Sequence, residues 1–262
     1  MSAYPSFSRK LARKILPRRI YGALRVLGDP NLFADVDFAT YNQDRLLTQN
    51  NCDFMTNERF AAAYAVGEAT DSWWNVPIHW RIHVMFWAAT RALEIEGDFV
   101  ECGVNRGGFS RSIMEFIDFK NVPDKTYYLL DTFNGLVDEL ISDEEKQNGI
   151  RAGHYAECFA EVQETFRDFP NVELIRGMVP DTLPQVRAEK VCYLSLDMNC
   201  AQPEIEAAEF FWDKLSTGAA MILDDYGFTE FAVQKREFDK FASRKNVSIL
   251  TLPTGQGLIL KP

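Results

Sequence analysis

From Gly97 onward the chain repeats one pattern. Short runs of β-branched, aliphatic and aromatic residues alternate with amphipathic stretches of helical length. The runs cover residues 99–104, 127–131, 172–176, 191–197 and 220–224. Strands this uniformly apolar must be covered on both faces, and helices in the connections do that when the strands lie parallel. Two further runs, 247–252 and 257–261, flank Thr254-Gly255. That connection is too short for a helix, so the pair is a hairpin that adds an antiparallel strand. The expected architecture is an α/β, doubly wound sheet of seven strands closing on a hairpin.

The pattern before Gly97 is different. Residues 29–96 read as helical and aromatic-rich, with Trp73, Trp74, Trp80, Phe86 and Trp87. Residues 1–28 read as a basic amphipathic helix pair broken at Pro17, with Leu11, Ile15, Ile20, Leu24 and Leu27 on one side. This assigns 1–96 to an N-terminal helical cap or oligomerisation region and 97–262 to the core. A chain of 262 residues, 47% of them hydrophobic, has enough apolar material to fold without disulfide or metal staples.

Charge and cysteines narrow the classes. With 28 Lys+Arg against 38 Asp+Glu, the net charge of −10 argues against a partner that is nucleic acid. Residues 1–28 carry seven basic side chains and no acid, so they suit an anionic membrane surface or an acidic neighbouring subunit. No apolar run approaches the ~20 residues that cross a bilayer, and no signal-peptide core opens the chain. Five cysteines without paired spacing fit reduced thiols in a cytoplasmic protein.

Ligands of such sheets sit beyond the carboxyl ends of the strands, and here those ends are acidic or glycine-rich. The first reads Glu101-Cys102-Gly103-Val104-Asn105-Arg106-Gly107-Gly108-Phe109-Ser110. Its Gly-x-x-x-Gly-Gly spacing departs from Gly-x-Gly-x-x-Gly, which disfavours a nicotinamide dinucleotide. The second, Asp131-Thr132-Phe133-Asn134-Gly135, offers an acid for both hydroxyls of a ribose, or else a helix cap. The third is Asp197-Met198-Asn199 together with Asp224-Asp225-Tyr226-Gly227. These are hard oxygen donors of the kind that hold Mg²⁺ or Ca²⁺, and adjacent buried carboxylates need a cation or protons between them.

Together these motifs resemble the TylF/MycF (macrocin O-methyltransferase) family, over residues 54–262. The resemblance implies a Rossmann-like class I methyltransferase that uses S-adenosyl-L-methionine. It implies that Glu101, Gly103 and Gly107, in one loop with Asn105 and Ser110, line the methionine side. Asp131 would hold the ribose, Thr132 and Phe133 would lie beside the adenosine, and Gly177 and Met178 would flank the adenine. Asp197, Asp224 and Asp225 match the family's Mg²⁺ ligands. Asp197 is also the expected general base, with His154 as the alternative, and Gln256 and Tyr226 are placed toward the acceptor.

Two departures bear on the acceptor. The family's Asp-x-Asp-Leu-Tyr is Asp197-Met198-Asn199-Cys200-Ala201 here, and its loop tryptophan is Asn105. The acceptor expected is therefore a small molecule carrying a hydroxyl, a sugar or another natural product, with homo-oligomeric assembly. Asn199 keeps open a metal-independent enzyme with an N- or carboxyl acceptor. A non-catalytic nucleotide-binding scaffold is the third reading, opposed by the intact acids. His79 and His83, at i and i+4, lack a third ligand and read as structural.

Overall fold

A computed structural model describes residues 39–74 and 76–262. Expectations for residues 1–28 lie outside that range. Strands β1 (Tyr41–Gln43) and β2 (Leu46–Thr48) pair antiparallel around Asp44-Arg45. Both turn residues have positive φ, 48° and 62°, as the tight primed hairpin turns require. This stretch was expected to be helical. The hairpin and the sheet-bearing body that begins at Asp53 are separate compact units.

The body opens with α1 (Glu58–Glu68) and α2 (His79–Ala92). Asn57 caps α1 by accepting from the Phe60 N–H at 3.1 Å. Next come β3 (Asp98–Cys102), α3 (Gly108–Phe116), β4 (Tyr127–Asp131), α4 (Asp143–Gln147), α5 (Phe159–Phe166) and β5 (Val172–Arg176). The chain continues through β6 (Val191–Leu196), α6 (Ala201–Trp212), β7 (Leu215–Leu223), α7 (Ala232–Lys245), β8 (Leu250–Thr251) and β9 (Gly257–Leu260).

Strands β3 to β9 form one sheet in the order β5-β4-β3-β6-β7-β9-β8. The first five are parallel, and β9 runs antiparallel to both neighbours. The seven-stranded α/β sheet with its terminal hairpin is thus the fold expected. Its β7 begins earlier than expected: Leu215 pairs with Val191 before an irregularity that brings Ala220 opposite Tyr193. Order reverses at β3, between β4 and β6, and this switch point opens a crevice at the strand ends.

Strand alternation divides the core in two. Phe99, Tyr127, Leu129 and Tyr193 join Ile82, Phe86, Ile113 and Val162, so α1, α2, α3 and α5 share one face with the sheet. Val100, Leu130, Leu194 and Met221 join Phe211, Phe238 and Phe241 of α6 and α7. Among the described residues no helix is long and apolar enough to cross a membrane. All five cysteines are free thiols.

Helices α1 and α3 approach so closely that a side chain at Gly67 has no room. A Cβ there would lie 1.8 Å from Ser112 Oγ and 2.5 Å from the Gly108 carbonyl oxygen. Gly67→Ala is expected to cost about 1–3 kcal/mol of stability through overpacking, read as a lower urea midpoint. An unchanged midpoint would contradict this contact.

Candidate active site

The loop leaving β3 turns at Gly103, whose φ is +90°. A Cβ at this position would sit 1.9 Å from the Asp197 carbonyl oxygen, so only glycine lets the β3 and β6 ends pass. Gly107 forms the N-cap of α3. The buried Ser110 hydroxyl turns back to donate to the Gly107 carbonyl at 3.3 Å. Asn105 donates through Nδ2 to the Ser72 carbonyl at 3.0 Å.

Asp131, at the tip of β4, sews two loops together. Its Oδ2 accepts from the N–H groups of Val104 at 2.6 Å and Asn105 at 2.8 Å. Its Oδ1 accepts from the Phe133 N–H at 2.6 Å. Burial raises its pKa, and these backbone donors work in the opposite direction. Asp131 lines a cavity open to solvent, together with Gly103, Asn105, Thr132, Phe133, Gly177, Met178 and Asp197. The expected cofactor residues that lie off this lining are Glu101, Gly107 and Ser110.

Glu101 is fully buried beneath the loop. Its Oε2 accepts from the Tyr127 hydroxyl at 3.1 Å, and no described residue reaches Oε1. Burial pushes its pKa up to about 8, with the charges of Asp131 and Asp224 adding to the effect. A buried carboxyl with an unused oxygen, beside an acid that lines the cavity, fits a ligand combining a cationic group with a ribose.

One oxygen from each of Asp197, Asp224 and Asp225 lies within 4.8 Å of the others. Among the described residues this is the single grouping that could hold a metal, and an all-carboxylate donor set fits a hard divalent cation. Asn199 clasps the group, donating through Nδ2 to Asp197 Oδ1 at 2.8 Å and to Asp225 Oδ2 at 2.7 Å. The Tyr155 hydroxyl in turn donates to Asn199 Oδ1 at 2.6 Å. Asp224 accepts from Arg81 Nη1 at 2.6 Å and from Gln256 Nε2 at 3.0 Å. Burial and the neighbouring acids hold Asp197 well above the usual carboxylate range and push Asp225 up to about 7.

The remaining expected residues scatter. Gln256 is buried against Asp224, which ties the terminal hairpin to the acids. Tyr226 turns away, its hydroxyl donating to Asp239 and accepting from Lys235. His154 is exposed, with Nδ1 at 3.3 Å from the Arg151 carbonyl, and it does not line the cavity. His79 and His83 stack on Tyr64 and Phe54, and burial lowers both pKa values. Within the polar stretch 138–155, Glu145 closes a capping box on Ser142, and its other oxygen accepts from the Ala201 N–H that opens α6.

Three contributors escaped sequence reasoning: Arg81, Tyr155 and Glu204. Glu204 Oε1 is buried and accepts from the Met198 N–H at 2.8 Å and from Gln234 at 2.7 Å, supporting the Asp197 loop from below. Arg81 shares α2 with His79, His83 and Arg91, so no local pattern set it apart.

Sheet order, the glycine turn after β3 and the acid tipping β4 define the class I methyltransferase fold. Solved structures agree. The O-methyltransferase NovP matches with a TM-score of 0.58 at 20% identity, covering 98% of both chains. The calicheamicin methyltransferase CalS11 matches with a TM-score of 0.55 at 16% identity, covering 88% of this chain and 98% of that one. The chain belongs to the macrocin-O-methyltransferase (TylF) family, whose model matches residues 83–249. Its relatives include demethyldecarbamoylnovobiocin O-methyltransferase of Streptomyces niveus, 27% identical over half of this chain and 53% of the relative. Mycinamicin III 3''-O-methyltransferase of Micromonospora griseorubida is 28% identical over half of this chain and 56% of the relative. The chain thus aligns with about half the length of these curated relatives.

Glu101 carries a pH signature. Its folded-state pKa of about 8 lies above the ordinary 4.5, so the folded protein holds a proton that the unfolded chain releases. The contribution of this carboxyl to stability is therefore fully present below about pH 4.5 and is lost as pH rises through about 8. Glu101→Gln, neutral at every pH, is expected to flatten this slope, with a gain over wild type of up to roughly 5 kcal/mol above pH 8. Urea melts at pH 5 and pH 8.5 check it; parallel slopes for the two proteins would refute it.

Proposed function

We propose that this protein transfers the methyl group of S-adenosyl-L-methionine to a hydroxyl of a small acceptor, a sugar or another natural product. The observation that carries this reading is that Asp131 and Asp197 line one cavity from opposite sides of Gly103. One carboxylate is suited to a nucleoside ribose and the other to an acceptor hydroxyl. The named activities of the relatives support it.

Asp131, with its loop fixed by three backbone N–H groups, would hold the ribose hydroxyls, while Thr132, Phe133, Gly177 and Met178 enclose the base. Glu101, buried behind the lining, would act on the cationic end through its charge, and a positive charge there favours its ionised form. When bound, the cofactor supplies an electrophilic methyl group, and a divalent cation supplies Lewis acidity to the acceptor oxygen. The residues supply alignment, which can account for ~7–11 kcal/mol of barrier lowering. Asp197, Asp224 and Asp225 would hold the cation. Asp197 would also take the hydroxyl proton.

Two observations favour a second reading, transfer without a metal. Asn199 already joins Asp197 to Asp225, and both oxygens of Asp224 are engaged. In that reading Asp197 acts as base alone. A cytoplasmic setting, with all thiols free, and homo-oligomeric assembly complete the proposal. Residues 1–28 would serve subunit packing or contact with an anionic membrane.

Calorimetric titration with S-adenosylhomocysteine tests the cofactor site. Wild type is expected to bind, and Asp131→Ala to bind about 100-fold more weakly, because two charge-assisted hydrogen bonds are lost. Repeating the titration with Mg²⁺ should add a second heat that Asp225→Ala abolishes. Binding of S-adenosylhomocysteine without any Mg²⁺ heat would favour the metal-free reading. No binding by wild type under either condition would leave the scaffold reading.

A further inference from the structure

The three acids are not equally available. Asn199 engages one oxygen each of Asp197 and Asp225, and no described donor reaches their second oxygens. Asp224 differs. It is 2% exposed, with Oδ2 against Arg81 Nη1 at 2.6 Å and Oδ1 against Gln256 Nε2 at 3.0 Å. Arg81 projects from α2, its side chain 15% exposed, with its guanidinium carbon 5.6 Å from the Phe228 ring centre. It is the one cation in the described structure ion-paired to the acid group.

A divalent ion taking Asp224 as a ligand would bring its charge beside the guanidinium, inside a largely dehydrated pocket. Like charges at that separation repel strongly where water cannot screen them. Arg81 and the metal thus draw on the same negative charge. We propose that Arg81 is a built-in competitor for the divalent cation: its guanidinium neutralises the acid group in the metal-free protein and leaves Asp224 Oδ2 when the ion binds. This proposal rests on the metal-assisted reading above. It assigns Arg81 the role of setting how much free metal the site needs, with no contact to the reacting atoms.

The sign of the mutant effect separates this role from its opposite. If Arg81 merely oriented Asp224 as a ligand, its removal would weaken metal affinity by roughly 10–100-fold. As a competitor, its removal should tighten binding. Titrating Mg²⁺, and Mn²⁺ as a second probe, into wild type, Arg81→Gln and Arg81→Lys is expected to give about tenfold tighter binding for the glutamine variant. The charge-retaining lysine variant should stay near wild type. Mg²⁺ should also raise the melting temperature of Arg81→Gln more than that of wild type.

Wild type supplies a measurement independent of whether the variants fold. On saturation with Mg²⁺, the Arg81 guanidinium ¹⁵N signals should move from the restricted rotation of an ion pair to the averaged signals of a released side chain. Weaker or equal metal affinity in Arg81→Gln, or guanidinium signals unchanged by Mg²⁺, overturns the competitor role and leaves the metal site standing. No metal binding in any of the three proteins overturns the competitor role and the metal-assisted reading together.

Discussion

Five carboxyl groups, those of Glu101, Asp131, Asp197, Asp224 and Asp225, are gathered at the carboxyl ends of neighbouring parallel strands and withdrawn from most of the solvent. A carboxylate taken out of water without a partner costs several kcal/mol, so each must find a donor, a proton or a cation. The structure supplies partners of several kinds. Tyr127 serves Glu101, backbone N–H groups serve Asp131, and the Asn199 amide serves Asp197 and Asp225. Arg81 and Gln256 serve Asp224.

That demand explains why elements far apart in the chain converge. Helix α2 contributes Arg81, the terminal hairpin contributes Gln256, and the loop before α5 contributes Tyr155. Behind them, Glu204 fixes the Met198 backbone and Gln234 reaches across from α7 to hold Glu204. Glu145 plugs the N-terminus of α6 from the short helix α4. Apolar packing stacks the helices on the sheet, whereas these polar contacts fix how they sit at the strand ends. A site whose ligands approach along those ends therefore inherits its geometry from the whole body.

The sheet was legible because its signal is local. Each strand is a run of apolar residues, and the short Thr254-Gly255 connection forbids a helix. The acids at the strand tips were legible for the same reason, since each ends a run that sequence periodicity already marks. The β1–β2 hairpin was hidden because Asp44-Arg45 lacks the Asn-Gly or Asp-Gly pair that announces a primed turn. Arg81 was hidden because its partner lies 143 residues away. Tyr226 misled: its place after Asp224-Asp225 points toward the acceptor, yet Asp239 and Lys235 on α7 capture its hydroxyl. Local pattern fixes which strand end a residue occupies, and long-range pairing decides where its side chain goes.

Asn199 shows how one departure from a family pattern changes the balance of a site. An aspartate there would bring a fourth carboxylate against Asp197 and Asp225, and repulsion would hold the group open until a cation bound. The amide instead donates twice and accepts once, from Tyr155, so the cluster closes on itself without an ion. With Arg81 and Gln256 added, the metal-free state acquires internal partners for four carboxylate oxygens. A cation entering such a site must exchange places with protein donors instead of filling an empty cage. Its affinity would then be a difference between two satisfied states, one closed by side chains and one by metal, and changes at Asn199 or Arg81 would shift that difference. On the proposed metal-assisted reading, the amide in place of a carboxylate would lower the gain from binding an ion, and removal of the guanidinium would raise it.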